Sequence, residues 1–532
     1  MTHDFPVWLQ DQPLVKIIPV ALPLPSLSDN SGDVDRFGRT LAQLGFAPVR
    51  FSPARMSDLS RKIREHDFRF RAVMGFCDPC WEVLNILPEW GSAPALGFAV
   101  DLGTSTLVFR LVDISQRRIL SERSVQNPQT VHGEDILSRI FFAGSPTGRE
   151  SLRLLLLETF AAVMGELLDA HGFSPADVYA VACAGNTAMS HFFLGLDPSN
   201  ICREPYIPAA NTFPIGRAKQ FGLDHLSNSL LFLFPNVGSY VGGDIIAGIL
   251  AAGIHRSRKP QVLIDVGTNA EVILGNSEWL LGCAGAAGPA LEGGVVERGM
   301  QAFPGAIDRV RIDRKTLEPS WQVIPGSKPL GICGSGLIDL VAELFASGIL
   351  TVQGKFHSKA ASPRIRKTSE GISYAVALGS ETDDGREILI SEVDIGVFLK
   401  SKAAMYTILS LVSAKVGLKF EDIERIYVAG NFGNRIDPEM AIRIGMIPDL
   451  PREVYCGIGN ASVLGASMVL LDRTLLDQAE AVRSRITYIE LNVNLELMNQ
   501  FRGALFLPHT ERRFFPSVLV PELEPDSTRQ EG

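Results

Sequence analysis

Phe98-Ala99-Val100-Asp101-Leu102-Gly103-Thr104 and Val262-Leu263-Ile264-Asp265-Val266-Gly267-Thr268 are the stretches whose reading decides the fold. Each sets Asp-X-Gly-Thr directly after a short apolar run. Each then continues into further apolar residues, Leu107-Val108-Phe109 and Val272-Ile273-Leu274. The pattern predicts strand, tight turn, strand. Glycine in such a turn lets the backbone come close to a phosphate, and the Thr hydroxyl and neighbouring N–H groups can donate to its oxygens. An aspartate at the strand end can hold Mg²⁺ directly or through water, because that ion prefers oxygen ligands and keeps several waters. One such hairpin reads equally well as an ordinary Asp-Gly turn. Two copies, 164 residues apart from Asp101 to Asp265, point to a duplicated fold that grips a triphosphate from both sides. Two structural turns in a repeated sheet are the bland alternative.

Working outward, the alternation of strands and helices predicts an α/β chain. Val15 to Leu24 reads as a strand, Asp33 to Leu44 and Ser57 to His66 as helices, and Arg71 to Phe76 as a strand. These make a small unit over residues 1–94, closed by the linker Glu89-Trp90-Gly91-Ser92-Ala93-Pro94. A larger domain follows over 95–475: a first lobe at 95–260, a second at 261–445 and a return to the first at 446–475. Residues 476–532 form a C-terminal extension with a polar tail from Glu522. Leu152 to His171 is an amphipathic helix closed by Gly172. Val178 to Cys183 is a strand ending in Ala184-Gly185-Asn186. Val393 to Val416 is a long helix stopped by Gly417. Ile426 to Ala429 is a strand running into Gly430-Asn431-Phe432-Gly433, so Ala-Gly-Asn also occurs twice, once per half. Gly459-Asn460-Ala461 leads a helix to Leu471. Ile486 to Leu491 reads as a strand and Asn494 to Arg502 as a helix.

Composition narrows the function classes. The 532 residues are 46% hydrophobic and 20% charged, ordinary for a folded protein of several domains. A net charge of −9 gives no electrostatic case for nucleic acid or an anionic membrane as partner. The most basic stretch, Lys355 to Lys367, reads as a solvated loop. No uninterrupted apolar segment is long enough to span a bilayer. Leu152 to Leu168 comes nearest and carries Arg153, Glu158 and Glu166. The first residues lack the basic lead of a signal peptide. Seven scattered cysteines, an odd and sparse set, point to reduced thiols in a cytoplasm.

Four further segments can carry chemistry, each with a bland rival. Gly331-Ile332-Cys333-Gly334-Ser335-Gly336 leads into the apolar run Leu337 to Phe345, which would present helix N-terminal N–H groups to an anion or simply pack. Gly430, Asn431 and Gly433 would let a nucleoside lie against the backbone, or form a plain strand-to-helix loop. Asp244, after Gly242-Gly243, could orient a water near a γ-phosphate or serve as a first-turn acid. Cys77-Asp78-Pro79-Cys80 could be a redox dithiol, though two inert thiols fit better; without a second pair a zinc or iron–sulfur site lacks ligands. His191 reads as a helix-packing residue.

Together these features resemble the acetate and sugar kinase, Hsp70 and actin superfamily, whose two ribonuclease H-like lobes hold ATP in a cleft. Several segments resemble, more closely, the reductive activators of corrinoid enzymes. These are Asn127-Pro128-Gln129 with Gly133-Glu134-Asp135-Ile136 and Ser138-Arg139-Ile140; Gly185-Asn186-Thr187-Ala188-Met189 with His191; Asp265 to Glu271; Gly288-Pro289-Ala290-Leu291-Glu292-Gly293; and Gly331 to Asp339. Leu22 to Asp29 is similar to the opening of that family's middle domain.

The resemblance implies a cytoplasmic Mg-ATP-dependent ATPase that drives a cobalt(II) corrinoid protein, or a corrinoid-dependent methyltransferase, to cobalt(I). Asp101 and Asp265 would position Mg²⁺. Gly103, Thr104, Ser105, Gly267, Thr268 and Asn269 would hold the phosphates. Gly334, Ser335, Gly336, Gly430, Asn431 and Gly433 would line the nucleotide, and Asp244 would orient water. Lobe closure on ATP would reshape a docking face, and the family suggests a homodimer. Such activators usually carry iron–sulfur cysteines. The sequence has no Cys-x₄₋₅-Cys-x₂-Cys run, so no iron–sulfur cluster is expected in it, and a separate ferredoxin-like protein would deliver the electron. A small-molecule kinase, or a nucleotide-switched binding protein without redox activity, are the alternatives on the same fold.

Overall fold

A computed structural model of the chain describes residues 5–521 except 92, 268–269, 286–295, 359, 361, 369–370, 434 and 490–494. It divides into two compact units, residues 1–251 with 461–485, and 252–460 with 486–532.

The first unit opens with a four-stranded sheet of β1 (Val15–Ala21), β2 (Val49–Arg50), β3 (Arg69–Cys77) and β4 (Cys80–Pro88), in the order β1-β3-β4-β2. Helices α1 (Asp33–Gln43) and α2 (Pro53–Glu65) cover it. Phe37 and Leu41 lie one turn apart on α1, and Leu59 and Ile63 one turn apart on α2. All four are buried with Phe70 and Trp81, so each helix spends one apolar stripe on the sheet. The apolar run after Cys80, which carried no sequence prediction as a strand, is β4; it pairs Cys77 with Cys80 across Asp78-Pro79.

Next comes a six-stranded sheet of β5 (Leu96–Leu102), β6 (Thr106–Asp113), β7 (Arg118–Gln126), β8 (Val178–Gly185), β9 (Gly216–Arg217) and β10 (Leu230–Leu233), ordered β7-β6-β5-β8-β10-β9. Every residue of β8 is buried, as expected for a parallel strand covered on both faces. Its helices are α3 (Ile136–Phe142), α4 (Pro146–Asp169), α5 (Thr187–Leu194), α6 (Gly243–Ala252), α11 (Ala461–Leu471) and α12 (Thr474–Arg485). Leu152, Leu156, Phe160 and Met164 of α4 pack in one core with Phe98, Val100 and Phe109. At Gly465 of α11 a Cβ would sit 2.2 Å from the Ala247 carbonyl oxygen, so α11 and α6 meet backbone to backbone.

In the second unit, β11 (Gln261–Val266), β12 (Ala270–Gly275) and β13 (Leu280–Gly285) join β20 (Arg425–Ala429), β21 (Tyr455–Gly459) and β22 (Ile486–Tyr488). Their order is β21-β20-β11-β12-β13-β22. Two smaller sheets hold β14 (Ala306–Ile312), β15 (Pro319–Val323) and β16 (Gly331–Ile332), and β17 (Ile365–Thr368), β18 (Gly371–Ala377) and β19 (Ile388–Ser391). Helices α7 (Gly334–Ala346), α8 (Glu392–Lys415), α9 (Gly430–Gly433), α10 (Pro438–Arg443) and α13 (Leu495–Ala504) complete it. Among the described residues α8, rather than α4, is the one helix long and apolar enough to cross a membrane, and 67% of its apolar window is buried inside the protein. The basic stretch Lys355 to Lys367 is not all solvated: Arg364 is buried against Glu318 and Glu381.

The two six-stranded sheets repeat one plan. In each, an antiparallel meander (β5-β6-β7, then β11-β12-β13) is followed by two parallel strands (β8 and β10, then β20 and β21). The registers also coincide: Asp101 lies opposite Ala184, and Asp265 lies opposite Ala429. The two Asp-X-Gly-Thr hairpins and the two Ala-Gly-Asn triplets are thus the same pair of neighbouring strand ends, made twice.

Candidate functional site

At the first hairpin, β5 ends on Asp101-Leu102, the turn is Gly103-Thr104-Ser105, and β6 leaves from Thr106. A Cβ on Gly103 would fall 2.3 Å from the Thr106 carbonyl oxygen, so the turn closes only around glycine. Its three carbonyls are all tied back into the protein. Asn127 Nδ2 donates to the Gly103 carbonyl at 2.9 Å, Arg139 Nη1 to that of Thr104 at 2.7 Å, and the Asn127 N–H to that of Ser105 at 2.9 Å. With the carbonyls so engaged, the donor side of the turn is what remains to meet an anion. Asn127 and Arg139 are fully buried. Arg139 also donates to the carbonyls of Gly133 (2.7 Å) and Glu134 (3.1 Å). Burial pulls its pKa down.

The aspartate and threonine of this hairpin are held from two further directions. Ser462 Oγ, on the first turn of α11, donates to Asp101 Oδ1 at 2.9 Å, and Asn186 Nδ2 donates to Thr104 Oγ1 at 2.9 Å. Asn186 Oδ1 meanwhile caps α5 by accepting from Met189 N. The donor set is therefore a hard carboxylate and a hydroxyl beside a glycine turn, which fits Mg²⁺ and phosphate oxygens.

The strand ends of this sheet converge on α6. A Cβ on Gly185 would lie 2.6 Å from Leu102 Cβ, and one on Gly242 would lie 2.4 Å from Asn186 Cα. The backbones after β5, β8 and β10 are in van der Waals contact, at the carboxyl ends of parallel strands where α/β sheets place ligands. Asn236 Oδ1 accepts from Gly243 N at 3.0 Å, and Thr187 Oγ1 donates to the Gly238 carbonyl at 2.5 Å. These bonds fix the start of α6, which presents Asp244, half-buried, with its Oδ1 accepting from Ile245 N at 2.8 Å. The first unit thus gathers Asp101, Gly103, Thr104, Ser105 and Asp244 around one set of strand ends.

In the second unit Asp265 again stands near the end of its strand, paired with Glu271 across the hairpin, while Thr268 and Asn269 lie outside the described residues. Gly430 follows Ala429 with φ +82°, and a Cβ there would stand 3.0 Å from the Val266 carbonyl oxygen. A Cβ on Gly433 would meet the Val428 carbonyl at 2.1 Å. Gly430 thus brings the backbone after β20 onto the end of β11, and Gly433 lets it fold back on β20 itself. Gly334, Ser335 and Gly336 open α7 and are buried; a Cβ on Gly336 would lie 2.3 Å from the Ile307 carbonyl. Close packing on β14 therefore explains Gly336 by itself. Further along α7, the buried Asp339 meets Arg311 at 3.0 Å, and burial raises its pKa to about 6.

His191 is buried, with Nδ1 donating to the Thr187 carbonyl at 2.7 Å and Nε2 accepting from Ala210 N at 3.4 Å. Both nitrogens are used for packing, and burial lowers its pKa. Burial also pushes the Cys77 thiol up to about 12, the setting of an inert thiol. Sequence reasoning gave no role to Asn127, Arg139, Ser462 or Asn236. The first two lay in quoted segments whose spacing gave no hint that they hold a turn 24 to 35 residues upstream.

A duplicated sheet with a glycine turn after each Asp-bearing strand defines a phosphate-binding protein of the acetate and sugar kinase, Hsp70 and actin class. Family models match along the chain: the RACo linker region over residues 10–92, the RACo middle region over 96–257, and the C-terminal domain of RACo, the ASKHA domain, over 259–519. The chain belongs to the RACo family of reductive activators of corrinoid proteins. Its small N-terminal unit corresponds to the linker region, and the middle region falls on the first lobe. A solved structure of a reductive activator for corrinoid, iron-sulfur protein is similar at TM-score 0.88 and 36% identity, over 96% of this chain and 81% of that one. The corrinoid activation enzyme RamQ of Eubacterium limosum is 32% identical over 408 residues, 75% of this chain and 68% of RamQ. A [Co(II) methylated amine-specific corrinoid protein] reductase of Methanosarcina barkeri is 26% identical over 421 residues, 74% of this chain and 73% of the reductase.

Proposed function

We propose that this chain is an ATP-dependent reductive activator that returns a corrinoid protein from cobalt(II) to cobalt(I). The observation that carries the reading is the duplicated register of Asp101 with Ala184 and Asp265 with Ala429, in a chain similar over 96% of its length to a reductive activator. Asp101 and Asp265 would hold Mg²⁺, which when bound neutralises phosphate charge. Gly103, Thr104, Ser105, Gly267, Thr268 and Asn269 donate to phosphate oxygens. Gly334, Ser335, Gly336, Gly430, Asn431 and Gly433 lie along the nucleotide. Asp244 orients the water that attacks the γ-phosphate.

The redox step moves one electron: a reduced donor is oxidised and cobalt(II) becomes cobalt(I). ATP hydrolysis consumes water and moves no electron. Its contribution is energetic, since a partner shifts an equilibrium only by its differential affinity for the two states. Among the described residues no group of three or more His, Cys, Asp or Glu is placed to hold a metal ion. We assign the electron to a separate ferredoxin-like donor, since the sequence carries no Cys-x₄₋₅-Cys-x₂-Cys run. The partner is a corrinoid protein or corrinoid-dependent methyltransferase, and the working form is a homodimer in the cytoplasm.

Reconstitution tests this reading. The protein, a cobalt(II) corrinoid protein, a reduced ferredoxin and Mg-ATP are mixed and the cobalt absorption followed. ATP-dependent cobalt(I) is expected; its absence with every donor sinks the proposal. Asp101→Ala and Asp265→Ala should each abolish ATP turnover, and turnover surviving both changes means that the phosphate site is elsewhere.

A further inference from the structure

The segment that braces the first phosphate turn also carries an apolar surface that none of the described residues covers. Val131 is 75% exposed, Leu137 50%, Phe141 69% and Phe142 37%. Leu137 and Phe141 are four residues apart on α3, hence on one face, while Arg139 and Ile140 point inward. His132 stacks on Phe142 with ring centroids 3.9 Å apart, joining the 3-10 turn Pro128–His132 to the end of α3. Single exposed apolar residues are normal, but four within twelve positions form a patch of the kind that marks interaction sites. The rim is acidic: Glu134 and Asp135 are exposed, and hydrogen bonds from Ser138 keep the Asp135 carboxyl below its usual range. The neighbouring cation, Arg149, is occupied by Asp197 and the Ala143 carbonyl.

We infer that this surface docks the corrinoid protein, through an apolar centre ringed by Lys and Arg on the partner. A second copy of this chain fits poorly, because a two-fold contact would set Glu134 and Asp135 against the same acids. The inference rests on the proposed function for the identity of the partner. It adds a route by which partner and nucleotide sense one another. Arg139, between Leu137 and Phe141, donates to the Thr104 carbonyl of the phosphate turn. Movement of α3 under a partner therefore moves the turn, and by linkage the nucleotide must alter partner affinity by the same factor.

The test titrates purified cobalt(II) corrinoid protein into the full chain, alongside partner-free ATP binding and thermal melting. Leu137→Ser/Phe141→Ser should weaken the complex at least tenfold and leave partner-free ATP affinity within about twofold. Val131→Ser and Glu134→Lys change side chains outside the brace, since Glu134 meets Arg139 only through its backbone carbonyl, and serve if the double variant melts early. Each should weaken the complex, Glu134→Lys with a shallower salt dependence. Wild-type affinity in all of these variants overturns the surface while the proposed function stands. Wild-type protein that forms no complex overturns both. A loss of self-association in place of partner binding, seen by ultracentrifugation, overturns the choice of occupant.

Discussion

Asn127→Asp tests the turn brace with the smallest change of shape available. Asn127 is fully buried; its Oδ1 accepts from Gln129 N at 3.0 Å and its Nδ2 donates to the Gly103 carbonyl at 2.9 Å. The substitution keeps the acceptor and replaces the donor by an oxygen that faces a carbonyl oxygen. Ionised, that carboxylate is buried against a lone pair; protonated, it can donate as the amide did. Burial and the facing carbonyl raise such a carboxyl by about 2–3 units above its ordinary value, and each unit is worth about 1.4 kcal/mol. An acid with a raised folded-state pKa binds more protons folded than unfolded. Its penalty is therefore absent at low pH, grows as pH rises from about 4 through the raised value, and levels off near 3–4 kcal/mol. Relative to wild type at each pH, the variant should bind ATP nearly normally at pH 5.5 and at least tenfold more weakly at pH 8, with a matching loss of thermal stability. A fluorescent ATP analogue and a melting curve at the two pH values suffice. A variant-to-wild-type ratio that stays flat with pH would refute the view that Asn127 shapes the turn through its amide donor.

Three other outcomes are expected. Gly103→Ala, whose methyl would sit 2.3 Å from the Thr106 carbonyl oxygen, must open the turn; ATP turnover should fall at least 100-fold with a stability loss of about 1–3 kcal/mol, checked by steady-state assay and denaturant titration. Lys402 is fully buried on α8 and donates to the carbonyls of Phe506 (2.6 Å) and Pro508 (2.7 Å), clamping the chain that follows α13. Lys402→Met should cost about 3 kcal/mol and expose that segment to limited proteolysis, and unchanged resistance would deny the clamp. His509, packed on Tyr406 and Phe515, has its pKa pushed down to about 4 by burial and by Lys402. As a base with a depressed folded value it contributes stability above pH 6.5 that is lost as pH falls towards 4, about 1–2 kcal/mol after allowing for partial solvation. His509→Asn, which keeps an acceptor for the Glu511 N–H, should flatten that acid limb in melts across pH 4–7.

Much of this architecture was legible because its signals are local. The strand-turn-strand reading at Asp101 and Asp265 needs only apolar runs and a glycine, and both hairpins formed there. The repeated Ala-Gly-Asn was visible too, but its meaning was not. That Ala184 and Ala429 stand beside the two aspartates is a matter of parallel register, set between residues 83 and 164 positions apart, which leaves no local trace. Strand β4 was missed because its buried run of Trp81 to Ile86 does not alternate, as a strand covered on both faces need not. The same limit hid Asn127, Arg139 and Ser462. Each acts on a turn far away in sequence, and a buried polar residue looks in one dimension like any surface asparagine, arginine or serine.

Arg139 poses the sharpest physical question in the first unit. It is wholly buried, and its donors go to three backbone carbonyls; among the described residues no carboxylate lies within ion-pair distance of it. Burying a guanidinium with no carboxylate in ion-pair contact costs several kcal/mol that carbonyl bonds and the more distant Asp135 recover only in part, and burial depresses its pKa. A fold seeking only stability would do as well with Met and a water. On the proposed function, what repays the charge is an anion on the other side of the turn it holds: a unit charge about 8 Å away, at an effective dielectric near 20, is worth on the order of 2 kcal/mol. The two roles separate in Arg139→Met. If the arginine serves the fold, the variant melts early and any loss of ATP affinity follows the loss of structure. If it serves the phosphate, the melting temperature with no nucleotide present changes little. ATP affinity then falls about 30-fold, and the stabilisation that saturating ATP gives the wild type shrinks by the same free energy. The second pattern is the one expected; an unchanged ATP-induced shift in melting temperature would leave Arg139 a structural residue.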